Sequence, residues 1–414
     1  MIIKIIHIPY DLSVKNNYYH MKKQYLLLLA IMLLTSILSC KRDQSVEISA
    51  PNLVFQYLEN PSISEIITDI EYIRLETNDS CLIGYIGQVL CYDDKYYMLD
   101  QIAKSIYVFS DQGQYIGKIS RTGQGPGEYI ILYSIAIDEV GNMLYINDVA
   151  QKKILTFDVN TLQFVSDYST GIEAEYLCFL NNSNNIVWYN CIGIGYNGKL
   201  FTNHVMTSDL NYSSLKEFVP VEFSTGYVLR PVSPFFQTDE SVIFSHPYKG
   251  VVYEILSGET NALFTFNFQK HTFPTFNYLR RLESKGNFAN EVRQSEYINY
   301  FNTFSNDNSY CINFYADRTF FMAVHNKTTA QNIYFPVKVL KDNISENVIT
   351  DDMGILIFNN PTFCDGNYYY SLINPNSILD KQKKYTEQIH PQLLQIINEI
   401  GESDNPILLK YKLK

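Results

Sequence analysis

One short stretch of the sequence, Arg121–Tyr129 (RTGQGPGEY), combines glycines with charged and aromatic side chains that could contact a ligand. A phosphate-binding loop needs a Lys-Ser or Lys-Thr pair and a helix after its glycines, whereas an apolar, strand-like run follows here. Two interpretations remain open. The glycines permit positive φ in a tight link between two sheets, or the loop presents Arg121, Glu128 and Tyr129 to a ligand, as loops on rigid scaffolds do.

Two aspartates, Asp100 and Asp148, each end an apolar strand-like segment and precede a polar turn. Carboxylates on neighbouring sheets could hold a metal ion or act as an acid and a base. An aspartate at a strand end more commonly caps the next turn by accepting backbone N–H groups. We therefore expect structural roles for both, and we predict no metal site and no cofactor.

Histidine spacing also matches no metal-binding or catalytic motif such as His-Glu-x-x-His. His246 has the most suggestive setting, a turn that reads Ser245-His246-Pro247-Tyr248. His246 and Tyr248 are therefore candidate ligand contacts. The alternative is a surface histidine, or one whose hydrogen bonds are satisfied within the protein.

Trp188 and Arg230 complete the set of candidate contacts. Tryptophan stacks on sugar faces and anchors protein interfaces, but in a strand it also packs between sheets. No Gly-x-Ser-x-Gly motif occurs in the sequence, so an α/β-hydrolase nucleophile is not predicted.

The elements that must position these residues are short strands. Residues 97–109 (YMLDQIAKSIYVF) recur at an offset of 48 as residues 145–157 (YINDVAQKKILTF), and Asp100 aligns with Asp148. A repeat of this length that contains only strands is typical of propeller blades.

We predict an all-β fold, a six-bladed β-propeller of four-stranded antiparallel blades that occupies residues 51–414. After a lead-in at 46–80, the predicted blades are residues 83–129, 134–169, 175–221, 227–268, 301–335 and 338–372. Within the last of these, strands are predicted at 355–358 and 368–372. A short helical insert is expected at 278–300 and a C-terminal helix within 377–400. A last strand at 406–413 would close the ring by pairing near the N-terminus or in blade six.

The first 39 residues are predicted to be a signal peptide, and residues 1–20 precede a better start at Met21. Lys22-Lys23 is followed by the apolar run Tyr25–Leu38, which is shorter than the roughly 20 residues that span a bilayer. Residues 37–40 (ILSC) resemble the lipobox of bacterial lipoproteins. That resemblance implies lipid on Cys40, a tether at residues 40–50, and an outer-membrane lipoprotein that faces the periplasm or the cell surface. An ordinary signal peptide with an incidental cysteine is the alternative.

The charge balance argues against nucleic-acid partners. Residues 1–39 hold four lysines and one aspartate, so the remaining 375 residues have 28 basic and 42 acidic side chains and a net charge of −14. Such a surface repels a phosphate backbone. Six further cysteines lie in apolar contexts without a CxxC pattern, and we expect isolated buried thiols rather than disulfides.

Several of these segments together resemble a known family. Residues 73–77 (IRLET), 106–109 (IYVF), 123–129 and 404–408 (DNPIL) are similar to the six-bladed β-propeller lipoproteins of Gram-negative gut-type bacteria, which are distantly related to NHL-repeat propellers. The resemblance covers nearly all of residues 50–414. It implies the architecture and export, and it implies no catalytic residue.

We therefore expect a binding or scaffold module for a glycan, a peptide or an envelope protein, more than an enzyme. A lyase or hydrolase would bring His, Asp or Arg side chains together at the channel mouth. A structural subunit of an outer-membrane assembly would expose an apolar patch on one face or on the helical insert. The fold alone does not choose among these.

Overall fold

The N-terminal part of the fold is an extended segment that joins sheets formed by later parts of the chain. The structure, a computed structural model, describes residues 49–181, 183–190, 202–212, 214–223, 234–238, 240–246, 248–284, 288–341, 344–382 and 389–414. The segment contains β1 (Asn52–Val54), β2 (Gln56–Tyr57), the one-turn helix α1 (Ile63–Ile66) and β3 (Ile67–Arg74).

The repeated segments form blades I and II, each a four-stranded antiparallel sheet. Blade I contains β4 (Ile86–Tyr92), β5 (Lys95–Asp100), β6 (Ser105–Ser110) and β7 (Tyr115–Ile119). Blade II contains β8 (Leu132–Asp138), β9 (Met143–Asp148), β10 (Lys153–Asp158) and β11 (Phe164–Ser169). The first hairpin turns at Asp93-Asp94, both with positive φ, which matches the twist of the strands that it joins.

Blades III to V follow the same order of strands. Blade III contains β12 (Tyr176–Leu180), β13 (Asn185–Tyr189), β14 (Asn203–Asp209) and β15 (Lys216–Pro220). Blade IV contains β16 (Phe235–Gln237), β17 (Val242–Ser245), β18 (Val251–Leu256) and β19 (Glu259–Asn267). Helices α2 (Phe276–Glu283) and α3 (Phe288–Gln294) precede blade V, which contains β20 (Tyr300–Ser305), β21 (Ser309–Ala316), β22 (Thr319–Asn326), β23 (Asn332–Lys341) and β24 (Ile344–Asn347).

Blade VI joins the two ends of the chain. Its strand order is β25 (Phe363–Asp365), β26 (Tyr368–Ile373), β27 (Ile407–Leu413) and then β3, and helices α4 (Pro375–Gln382) and α5 (Pro391–Ile397) lie between β26 and β27 in sequence. Leu408 pairs with Ile73, and Leu409 pairs with Tyr72. The last strand therefore pairs on one side with an N-terminal strand and on the other with blade VI, as predicted, and the propeller has six blades.

The lead-in is part of three blades, and its pairing with blades IV and V was not predicted from the sequence. β1 pairs in parallel with β19 at the outer edge of blade IV, and β2 pairs in parallel with β23 at the outer edge of blade V. We call residues 52–57 the strap. Because it adds a strand to two outer edges, it covers backbone groups that would otherwise be unpaired.

Blade VI differs from its prediction in its first strand. Residues 338–341 belong to blade V, and residues 355–358 form no strand. The apolar residues of this segment pack in the same buried cluster as α5 and do not pair in a sheet. They are Ile355, Ile357 and Phe358. The inner strands of blades IV and VI have only three residues each, which is too short for a recognisable alternation.

The apolar core is divided among the seams between neighbouring blades. Tyr97 and Leu99 of blade I, for example, pack against Ile135 and Ile137 of blade II. The predicted insert consists of α2 and α3, and Leu279, Leu282, Phe288 and Val292 bury its apolar side against blade IV. No helix in the described part of the chain has the length and apolar character that crossing a bilayer requires.

Five cysteines lie in the described ranges as free thiols; Cys81, Cys178 and Cys311 are buried, whereas Cys91 and Cys364 are partly exposed. Burial raises the pKa of Cys178 to about 12, which keeps the thiol protonated. Cys191 and Cys40 lie outside the described residues.

The disc has two different faces. The inner strand of each blade starts at the face that carries the connections between blades, which we call the connection face. Each inner strand ends at the turn into the second strand, and we call that side the turn face. The turn between the second and third strands of a blade returns to the connection face.

Candidate functional site

A cavity of about 540 Å³ lies on the central axis and opens toward the turn face. All six inner strands contribute to its wall, through residues that include Gln88, Ala136, Cys178, Gln237, Phe304 and Phe363. Blade closure, rather than any local motif, therefore creates this cavity.

Side-chain amides connect the inner strands around the cavity. The Gln88 amide donates to the Ile135 carbonyl at 2.9 Å and accepts from the Ile135 N–H at 3.0 Å. Gln237 Nε2 donates to Asn181 Oδ1 at 2.6 Å across the seam between blades III and IV. Inner strands have no strand partner on the channel side, so the Gln88 amide satisfies backbone groups of Ile135 that would otherwise be unpaired.

Carboxylates dominate the charge of the cavity wall. They belong to Glu139, Glu240, Glu254, Asp307 and Asp365. Among the described residues of the wall, the cation is Lys327, whose Nζ donates to Ser305 Oγ at 3.0 Å and lies 4.1 Å from the Tyr310 ring centroid. No histidine or arginine is among the described residues that line the cavity.

Two of these charged groups have shifted pKa values. Burial raises the pKa of Asp365, an effect that the Lys410 charge opposes. Burial lowers the pKa of Lys327, and the Asp307 charge opposes that shift. Burial penalises the charged form in both cases.

The Arg121–Tyr129 loop links blades I and II and is held by its own groups. Gly125 N–H donates to the Glu128 carboxylate at 2.9 Å. The buried Tyr129 hydroxyl donates to the Lys104 carbonyl at 2.8 Å. Arg121 lies over the Phe164 ring at 5.8 Å instead of facing Glu128. The geometry supports the structural interpretation of this loop, and a ligand contact at the exposed Arg121 stays a prediction.

Close approaches explain two of its glycines. A Cβ at Gly123 would meet the Glu128 carboxylate and displace it from the Gly125 N–H. Gly127 has φ of +71°, and a Cβ there would lie 2.7 Å from the Phe164 ring, so this position requires glycine.

The repeated aspartates cap turns on the connection face. Asp100 Oδ2 accepts from the N–H groups of Gly84 and Tyr85, and its Oδ1 accepts from those of Ile102 and Ala103, at 2.6–3.2 Å. Asp148 accepts the equivalent bonds in blade II, from residues 130, 131, 150 and 151. Within the described ranges, no three His, Cys, Asp or Glu side chains converge to hold a metal ion.

Two buried histidines meet at the seam between blades III and IV, on the connection face. The rings of His204 and His246 lie edge to face, with centroids 5.3 Å apart. The Tyr248 N–H donates to His246 Nδ1 at 3.1 Å, and His204 Nε2 has no hydrogen-bond partner among the residues that the structure describes. Burial lowers the pKa of His204 to about 4; the bond to the Asn190 carbonyl opposes this shift, and the nearby Lys249 charge adds to it by a smaller amount. Sequence reasoning selected His246 but missed His204, which is 42 residues earlier in the chain.

The other candidate contacts do not reach the cavity. Trp188 is fully buried in blade III and donates through Nε1 to Ser208 Oγ at 2.8 Å, which supports the packing alternative. Tyr248 packs edge to face on Phe223, with ring centroids 5.4 Å apart, beneath the helical insert. Arg230 and Cys40 lie outside the described residues.

A match to a family profile covers most of this fold and identifies the family. A family profile described as a 6-bladed beta-propeller, DUF5128, matches residues 44–356. The chain belongs to this family. The DUF5128 match begins before the strap and ends between blades V and VI, so closure by β27 comes from the structure and not from the profile.

A solved structure from Bacteroides fragilis, named as a candidate exported protein, shares the fold of this DUF5128 protein. It is 21% identical with a TM-score of 0.75, and the alignment covers 88% of this chain and 99% of the other. A second, a member of the DUF4221 family from Bacteroides vulgatus, is 9% identical with a TM-score of 0.48 over 84% and 98% of the two chains. No protein of curated function matches the sequence.

Sequence reasoning missed the cavity residues because no motif marks them. A weak signal was present. Glu139, Asp307 and Asp365 each lie at or just after the end of an inner strand. Once the blades are assigned, that position predicts that a side chain borders the channel on the turn face.

Proposed function

We propose that the protein is an exported, lipid-anchored binding module whose central cavity holds a small ligand or one end of a larger one. The observation that carries this proposal is the cavity of about 540 Å³ to which all six blades contribute. Its size lies within the range of about 300–1,000 Å³ that is typical of ligand sites. Export and the anchor at Cys40 are supported by the apolar N-terminal run and the residues before that cysteine.

The wall chemistry favours a glycan or a peptide as the ligand. Phe235, Phe236, Phe304 and Phe363 border the cavity, and the carboxylates of its wall supply hydrogen-bond acceptors. Sugars and peptides both combine apolar faces with hydroxyl or amide donors that suit such a wall. An envelope protein would bind in the same way if one of its chain ends enters the cavity.

An enzyme that acts in the same cavity is the second candidate. It is favoured by Asp365 and Lys327, whose pKa values move toward neutrality from opposite sides. Two groups shifted in this way in one cavity wall suit acid–base chemistry. The Lys327 ammonium, however, already donates to Ser305 Oγ and to the Asn306 carbonyl, a setting that favours a structural cation.

A binding screen tests the proposal. The purified protein is tested against an oligosaccharide array and a short-peptide library, and each hit is measured by calorimetric titration. We expect hits of one class whose affinity falls at least about tenfold, or 1.4 kcal/mol, in Glu240→Gln and Asp307→Asn. Glu259→Gln is the matched control, because Glu259 is also an exposed carboxylate but does not line the cavity.

The outcomes separate the candidates. No hit, or hits that are equally weakened by Glu259→Gln, would contradict a cavity ligand. Chemical conversion of a hit, lost in Asp365→Asn, would favour the enzyme. The anchor is tested separately by metabolic labelling with an alkyne fatty acid, which we expect to label the protein and not its Cys40→Ala variant.

A further inference from the structure

We propose that the connection face of blades I and II rests on the lipid bilayer, so that the cavity opens away from the membrane. The inference rests on the lipid anchor of the proposed function. It concerns the orientation of the anchored disc and the surface that fixes this orientation.

Four large apolar side chains are exposed together on this face. We call them the apolar patch, and their exposed fractions are 51% for Leu82, 52% for Tyr85, 75% for Ile102 and 45% for Ile131. Tyr85 and Ile102 are neighbours because their N–H groups donate to the same carboxylate, Asp100. The residue before Ile102, Gln101, donates to the carbonyl of Tyr133 in blade II, which brings this turn next to Ile131.

On the connection face of blades I and II, the carboxylates of Glu76, Asp79 and Glu128 lie among the cations of Lys104, Arg121 and Lys152. The turns of the turn face are dominated by carboxylates, at Asp93, Asp94, Asp111, Asp138, Glu139, Asp158, Glu240, Glu259, Asp307 and Asp365. Within the described ranges, Val140 is the one large apolar residue of these turns that is exposed. An anionic bilayer repels a carboxylate-rich face, whereas exposed apolar side chains gain free energy by leaving water.

The length of chain before the strap keeps the disc close to the bilayer. Residues 41–50 separate Cys40 from Pro51, whose carbonyl already accepts from Thr265 N–H at the rim of blade IV. The fully extended reach from Cys40 to Pro51 is about 40 Å. A lipid on Cys40 therefore holds the rim within that distance of the membrane, and either face can turn toward it.

Because of this tether, a small apolar patch is enough to orient the disc on the bilayer. Four side chains offer far less than the area of about 1,200 Å² that a stable protein–protein interface buries. A surface already held near the bilayer needs little affinity of its own, because the tether makes its contact intramolecular. The patch is therefore better suited to a lipid surface than to a protein partner.

Tryptophan fluorescence in vesicles tests the orientation. The chain has one tryptophan, Trp188, which is fully buried and gives a constant background. The full lipidated protein, its Ile102→Trp variant and its Val140→Trp variant are reconstituted in phosphatidylethanolamine–phosphatidylglycerol vesicles that contain brominated lipid. Ile102 and Val140 are matched, with exposed fractions of 75% and 76%, and they lie on opposite faces.

We expect the added fluorescence at position 102 to be blue-shifted and several-fold more quenched by brominated lipid than that at position 140. Tyr85→Trp repeats the measurement at a second patch position. Equal quenching at 102 and 140, or stronger quenching at 140, would overturn the orientation and leave the anchored binding module intact. Protein that does not float with vesicles would refute the anchor and, with it, this inference. No quenching at 102, combined with a crosslink from position 102 to an envelope protein, would assign the patch to a protein partner and would also overturn it.

Discussion

Asp100 and Asp148 show how a single side chain can set the geometry of a blade. Each carboxylate accepts four backbone N–H groups, from the connection that enters the blade and from the turn that follows the second strand. A buried carboxylate is stable only when its hydrogen bonds replace those of water. The cap therefore ties two loops of the connection face into one unit.

Asp100→Ala should destabilise the protein by about 3 kcal/mol, because several buried N–H groups lose their acceptor. Urea unfolding followed by fluorescence measures the change. Asp79→Ala is the control: Asp79 lies in the same connection but is exposed, so its effect should stay within about 0.5 kcal/mol. Similar losses for both variants would contradict the capping role.

The His204–His246 pair should make the protein sensitive to acid. His204 titrates near pH 4 in the folded state and has an ordinary pKa of 6.5, so the unfolded chain binds more protons between these values. Stability is then complete above pH 6.5 and falls as the pH decreases toward 4, by about 3 kcal/mol for His204 alone. Burial lowers the pKa of His246 as well, so its effect has the same sign.

Unfolding at pH 7.5 and pH 4.5 measures this effect. His204→Gln should remove part of the pH dependence, while the half-buried His325 provides a matched control in His325→Gln. Lys249 and Glu222 form an ion pair near the histidines, and Lys249→Met tests the contribution of the lysine charge. An unchanged pH dependence in His204→Gln would rule out the pair as its source.

At the scale of elements, the strap completes blades IV and V by adding a strand to the outer edge of each. Phe55 is fully buried between them, and its ring packs 5.0 Å from that of Phe268. Its N–H donates to the Asn267 carbonyl at 3.0 Å. The strap is therefore held by core packing as well as by strand pairing.

Phe55→Ala should cost about 3–5 kcal/mol, through lost burial and the cavity that it leaves. The neighbouring Val54 is 47% exposed, so Val54→Ala should cost under about 1 kcal/mol. Thermal unfolding compares the two variants. Equal effects would mean that the strap is not anchored in the core.

At the scale of the whole molecule, β27 holds the ring closed. Leu409 is fully buried and pairs with Tyr72 on one side and Ser371 on the other. Closure removes two sheet edges that would otherwise be open to pairing with other chains.

Leu409→Asp should open blade VI, because it places an unpaired carboxylate in the closing sheet. We expect loss of cooperative unfolding and self-association in size-exclusion chromatography. Lys412→Gln, which removes a partly exposed ion pair with Asp69 at the same strand, should leave both properties unchanged. A monomeric Leu409→Asp protein with normal unfolding would show that closure does not depend on this packing.

The sequence by itself determined the local features. Strand alternation and turn residues are encoded within a few positions, so blades I and II, the capping role of Asp100 and the helical insert were predictable. The last strand was also predictable, because its apolar residues need a partner strand on each side. These features depend on neighbours in sequence, where hydrophobic period and turn chemistry act directly.

Tertiary structure decided what depends on distant parts of the chain. The strap pairs with strands more than 200 residues later, and no local pattern specifies such a partner. His204 and His246 become neighbours only across a seam, and Glu139, Asp307 and Asp365 share a wall only after six blades close around one axis. The fold could be predicted because period and turns are local. The residues that line the cavity could not, because they come together only when the ring closes.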